Sequence, residues 1–244
     1  MNTASGLKCA AGVLSAVVVL LLAAGCASRP KVNQYPDLHG MEDLHPEDCY
    51  PHCLIYISED AKLSAYSRFI VSPVEIYTGR QIFHSHSAQR RSASAETKRD
   101  VANFVHDEFV RVLQSGYGIT NEPGPGVLRL KFTVVDVELT HISVTPGGAT
   151  ASLIVLGVKM TKMASGEEQA GTMGSVTLLG ELYDSASNKL LVSFLSQRSP
   201  SAMDVTALVP PTRAAYVAVT EMAESFKRIV DNAHANPQNR RPAP

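Results

Sequence analysis

The chain has 244 residues, 45% hydrophobic and 18% charged, with 22 basic against 23 acidic side chains. That apolar content at a formal charge of −1 excludes a disordered chain. It also excludes a nucleic-acid binder that works through a broad basic surface, and the length allows one or two domains.

Lys8 is the one charge in the first 28 residues. Residues 13–24 are small or apolar, the length of a signal-peptide core and short of the roughly 20 residues a membrane span needs. The run ends Leu22-Ala23-Ala24-Gly25-Cys26, which resembles a bacterial lipobox, with its Leu one position further back than the pattern prefers. The resemblance implies cleavage between Gly25 and Cys26, and diacylglycerol and N-acyl lipid on Cys26. No other cofactor is expected. Each buried methylene adds about 0.8 kcal/mol, so several acyl chains hold a protein to a bilayer almost permanently. Ala27, not Asp, follows the cysteine. By likeness to the enterobacterial sorting rule this points to the outer membrane, with the domain facing the periplasm.

Residues 26–53 are polar, carry Pro30, Pro36, Pro46 and Pro51, and show no periodicity. They read as a flexible tether. An oxidising compartment makes a Cys49–Cys53 disulfide the plain expectation. The loop is so small that its stabilisation sits at the low end of about 2–4 kcal/mol. His39, His45, Asp48, Cys49, His52 and Cys53 also form a zinc-like ligand set, at spacings that match no standard finger. Disulfide, metal site and neither all stay open.

Leu54–Ile57 is a short apolar strand or anchor. Residues 67–77 form the first clear strand, in which Pro73 marks an edge or a bulge. Residues 78–93 read as loop, with His84 and His86 on a solvated stretch. Residues 94–115 are a helix: Ser94 suits the N-cap, and Val101, Phe104, Val105, Phe109, Val112 and Leu113 make an apolar stripe ending at Gly116. His106, Asp107 and Glu108 flank the stripe as a solvated face. Residues 117–120 form a short strand and 121–126 a turn. Residues 127–141 form a long strand whose apolar phase slips near Val134-Val135, the mark of a bulge or of a strand bending from one packing surface to another. Asp136 and Glu138 share one face of it, read as the wet side.

Residues 143–174 are the least legible. Leu153–Val158 fits a strand, a short helix or a surface-binding segment. Residues 175–184 and 190–198 form a hairpin, with Asp184 as turn former and Asn188 in a left-handed position. A second helix covers about 212–234, with Tyr216, Val219, Ala223, Phe226 and Val230 as its stripe. The organisation is therefore signal peptide 1–25, lipidated tether 26–53, one domain 54–234 and a loose tail 235–244. The predicted fold class is α+β, a mixed or antiparallel sheet of about 4–6 strands with two amphipathic helices on one face.

No nucleophile elbow, HExxH, phosphate loop or dinucleotide fingerprint occurs. Leu54-x-Tyr56, Tyr66, Val71-x-Pro73-Val74, the 94–115 helix followed by Gly-Tyr-Gly-Ile, the segment Pro123–Leu130 and Glu181-Leu182-x-Asp184 resemble, in order and spacing, the DUF3313 family of bacterial lipoproteins. The likeness spans about 54–233. It implies a periplasm-facing outer-membrane lipoprotein and carries over no catalytic residue. The expectation is a non-enzymatic interaction or accessory domain of the cell envelope, held to the membrane by lipid and serving an envelope protein partner. The alternatives are a metal-handling lipoprotein using His39, His45 and His52, or an unrecognised hydrolase. Partner identity and oligomeric state are not legible.

Overall fold

The computed structural model describes residues 34–41, 43–46, 53–82, 92–140, 174–200 and 212–236. Gly25, Cys26, Cys49, His52, His84, His86 and His141 lie outside the described residues, as do 143–173 and the tail from 237. The proposed Cys49–Cys53 pairing therefore also lies outside them.

Among the described residues eight strands form one sheet: β1 (His45–Pro46), β2 (Cys53–Ile57), β3 (Arg68–Val71), β4 (Glu75–Ile76), β5 (Gly118–Ile119), β6 (Val127–Glu138), β7 (Ser175–Asp184) and β8 (Leu190–Arg198). The order is β1-β2-β8-β7-β6-β3-β5, with β4 also against β6. Pairing is antiparallel from β1 to β6, while β3 and β4 run parallel to β6, so the sheet is mixed. The helix α1 (Ala95–Leu113) supplies the long crossover that a parallel pair requires. A second helix, α2 (Arg213–Ala235), closes the chain.

The α+β class is as expected, with more strands than the 4–6 predicted. The additions are β1, two residues and too short for alternation to register, and β4, the far end of the predicted 67–77 strand; β5 falls within the predicted 117–120 strand. Pro73 divides the predicted 67–77 strand into β3 and β4 rather than bulging it, since a proline donates nothing to the ladder.

Local signals elsewhere act as read. The Ser94 hydroxyl accepts the Thr97 amide at 3.2 Å and caps α1. The register slips between Val134 and Asp136, the predicted bulge. Asn188 sits at φ 57° in the hairpin turn. Both helices pack on one sheet face. Phe109 and Val105 of α1 and Phe226 and Val219 of α2 join Phe69, Leu130, Phe132 and Leu182 in the main core. No helix among the described residues is long and apolar enough to cross a membrane.

The opposite face corrects the tether reading. Tyr35 is 2% exposed and packs with Leu54, Val135, Leu179 and Leu195 in a second cluster, flanked by Leu38, Met41, Leu44 and Tyr77. The folded chain therefore begins by residue 34, not 54. Apolar burial overrides the polar average of the segment.

Candidate functional site

The densest buried polar cluster among the described residues sits beside the β6 bulge, where Val135 is skipped and Asp136 resumes the ladder opposite Thr177. Asp136 is 4% exposed. Its Oδ2 accepts from Gln81 Nε2 at 2.7 Å, and its Oδ1 accepts from Ser92 Oγ at 3.0 Å. Lys98 Nζ lies 3.1 Å from Oδ1. The reading of Asp136 as the wet side of the strand is thus overturned, because the loop after β4 and the start of α1 fold over it.

Lys98 reaches the carboxylate from the first turn of α1, where its amide donates to the Ser94 carbonyl at 2.9 Å. A cation at a helix N-terminus opposes the helix dipole, so a nearby anion offsets a local cost. Tyr35 closes the other side. Its hydroxyl hydrogen-bonds with the Thr177 side chain, and burial, followed by the Asp136 charge, holds the phenol well above its ordinary range. Gln81, Ser92, Lys98 and Tyr35 thereby tie the β4 loop, α1 and the N-terminal segment to one bulge.

A second network lies at the far end of α2. Tyr117 Oη donates to Asp231 Oδ1 at 2.7 Å, and Lys227 Nζ donates to Oδ2 at 2.7 Å. Burial alone would raise the Asp231 carboxyl, but these two donors outweigh it and hold it below the usual carboxylate range. His234 Nε2 sits 2.9 Å from the Tyr66 carbonyl, and Tyr66 Oη donates to Asp184 Oδ2 at 3.0 Å. Burial first, then the Asp184 bond, pushes the Tyr66 phenol up to about 12.

Asp184 forms the turn as expected. Its Oδ1 accepts both the Ser187 amide and the Ser187 hydroxyl at 2.7 Å, and these bonds lower its carboxyl. His106 and Asp107 stay on the outer face, 3.0 Å apart. Glu108 does not: it is 6% exposed, receives two 2.7 Å bonds from Arg111 and engages Thr220 of α2. His39 and His45 are exposed. Among the described residues no group of three or more His, Cys, Asp or Glu side chains is placed to hold a metal ion. The arrangement is suited to bracing: each of these buried or half-buried carboxylates is already filled by donors of the chain itself.

Sequence reasoning missed the Asp136–Lys98 pair and the Tyr35 segment. Each had a signal. Lys98 and Arg99 stand at the wrong end of α1 for the dipole, and Tyr35, Leu38, Met41 and Leu44 recur every third residue.

Solved structures with a similar chain path include the PelC dodecamer from Paraburkholderia phytofirmans, at 10% identity and TM-score 0.34, covering 70% of this chain and 96% of that one. Another is a Xanthomonas campestris protein of family DUF330, at 13% identity and TM-score 0.35, covering 72% and 92%. A third is a DUF4136 family protein from Bacteroides thetaiotaomicron, at 8% identity and TM-score 0.35, covering 75% and 96%. Likeness at this level carries no functional information. No curated protein matches the chain. One family model does, DUF3313, described as a protein of unknown function. It spans residues 38–226, starting at the buried N-terminal segment and not at 54 as the motif likeness suggested, and the chain belongs to that family.

Proposed function

We propose that the protein is a lipid-anchored, non-enzymatic interaction domain of the cell envelope, carried on the periplasmic face of the outer membrane and serving an envelope protein partner. The run Leu22-Ala23-Ala24-Gly25-Cys26 carries the reading. A triacylated Cys26 would fix the chain to a bilayer without any membrane-spanning helix. The way Asp136, Glu108, Asp184 and Asp231 are occupied by Lys98, Arg111, Ser187 and Lys227 supports a bracing use of the charged groups over a catalytic one.

The test is metabolic labelling with a palmitate analogue, followed by membrane fractionation. The wild-type chain should take label and sediment with outer membranes. Cys26→Ala should lose both label and membrane association while keeping its fold by circular dichroism. A wild-type chain that takes no label, or a Cys26→Ala chain that still sediments with membranes, refutes the anchor. Crosslinking in intact cells should then trap an envelope protein with the wild type and much less of it with Cys26→Ala. Equal trapping would remove any role for the anchor in partner choice.

A further inference from the structure

We propose that residues 34–41 and 43–46 belong to a releasable strap: docked on the sheet they hold the domain close to its anchor, and lifted they lengthen the tether. The reach half of this rests on the lipid anchor proposed above; the docking half stands on the fold alone.

The strap is attached by a small set of contacts. Tyr35 stacks edge-on against Tyr77 at 5.8 Å and 88°. Leu38, Met41 and Leu44 flank the same cluster, and i→i+3 bonds from Leu38 to Tyr35 and from Leu44 to Met41 keep these four side chains on one side. The Ile82 amide donates to the Gln34 carbonyl at 2.8 Å, and the Arg80 amide to Asp37 at 2.8 Å. The Arg80–Asp37 ion pair is exposed, with 71% and 46% of the two side chains in water. The Tyr35 hydroxyl also bonds the Thr177 side chain, and β1, whose two residues are both exposed, pairs with β2. By contrast β6 and β7 are paired from Leu128 to Glu138 in the middle of the sheet. A short segment whose apolar contacts come from four side chains, and whose ion pair and terminal strand are solvent-exposed, opens below the global unfolding free energy.

Opening changes geometry on a large scale. Gln34 is eight residue steps from Cys26, a span of at most about 29 Å whatever its path. With the strap lifted as far as Cys53, 27 steps allow about 90–97 Å. A partner that competes for the face under Tyr35 would therefore also move the domain outward. Gln81 links this event to the interior, since it binds Asp136 while its neighbours Arg80 and Ile82 hold the strap.

Native-state hydrogen exchange on the mature chain carrying Cys26→Ala tests the docking half. The Leu38, Leu44, Arg80 and Ile82 amides should share protection at least 100-fold below that of the β6 and β7 amides, with little dependence on low urea. Tyr35→Ala should speed their exchange at least tenfold. Protection equal to β6 and β7 would make the strap part of one cooperative core, and no protection would mean it is not docked; either result overturns the proposal. For reach, lipidated chain in phosphatidylethanolamine–phosphatidylglycerol vesicles would carry a fluorophore at position 122 and a lipid acceptor dye. Energy transfer should fall for Tyr35→Ala relative to wild type. Unchanged transfer alongside faster exchange overturns the reach half. A wild-type chain that takes no palmitate label defeats the anchor reading and the reach half, while the exchange result still decides the docking half.

Discussion

Replacing Asp136 by Ala should destabilise the fold more than any surface change, for reasons that can be worked from its partners. At 3.1 Å and an effective dielectric of about 20, the Lys98–Asp136 attraction is about 5 kcal/mol before desolvation. Desolvation offsets much of this, because only 13% of the Lys98 side chain and 5% of the Asp136 side chain meet water. Removing one partner does not restore the balance. It strands a buried cation and leaves Gln81 and Ser92 without their acceptor, which costs about 3–5 kcal/mol. Asp136→Ala should therefore lower the urea midpoint with little change in slope. Lys98→Met should cost less, since Asp136 keeps two hydrogen bonds. The double variant Asp136→Asn/Lys98→Met should be more stable than the sum of its single changes by at least about 1 kcal/mol. A loss under about 1 kcal/mol for Asp136→Ala, or a double variant that is simply additive, would refute the bracing role.

Gly180 faces Phe194 across β7 and β8, and a Cβ there would collide with the Phe194 ring. Gly180→Ala should cost about 1–3 kcal/mol in thermal or urea unfolding, with Phe194→Leu restoring part of it. Glu108 is held below the usual carboxylate range, chiefly by Arg111, so its folded value lies under its unfolded value. That contribution is complete above the unfolded value of about 4.3 and is lost as pH falls through the folded one. With Arg111 58% exposed, Glu108→Gln should cost about 1 kcal/mol at neutral pH and nothing once the native carboxyl is protonated, read as convergence of the two acid-unfolding curves. Asn188→Ala should cost about 1–2 kcal/mol for the left-handed backbone, whereas Asn188→Gly should keep most of that, losing only the exposed 3.0 Å bond from Arg129.

What was legible divides along a physical line. Long elements announce themselves because many residues repeat one decision. The stripes of α1 and α2, the β7–β8 hairpin and the β6 bulge were all readable from period and phase. So were Ser94 as cap, Asn188 as turn residue and Asp184 as turn former, since each depends on neighbours within four residues. The two-residue strand β1 carries no period, and its existence depends on what lies beside it. Asp136 and Glu108 were misread for the same reason. A carboxylate on a strand or helix declares its own element, but the groups that close over it come from elsewhere in the chain: Gln81, Ser92 and Lys98 for one, Thr220 of α2 for the other.

The N-terminal segment shows how a weak period can outrank composition. Its prolines and charges argue for a solvated linker, and a search at helix and strand periods finds nothing. Yet Tyr35, Leu38, Met41 and Leu44 repeat at three, the period that i→i+3 turns place on one side. Four apolar side chains on one side are enough to choose a sheet face that already offers Leu54, Val135, Leu179 and Leu195. That choice places Tyr35 against Thr177 and Asp136. A hydrophobic contact made by this segment thus sets the environment of the most buried carboxylate among the described residues. This is why Tyr35→Ala and Asp136→Ala should not behave as independent changes. Tyr35→Ala should expose the Asp136 cluster to water and reduce the penalty of a subsequent Asp136→Ala, a coupling of about 0.5–3 kcal/mol in a double-mutant cycle. Strict additivity would mean that the strap and the bulge are separate structures that happen to touch.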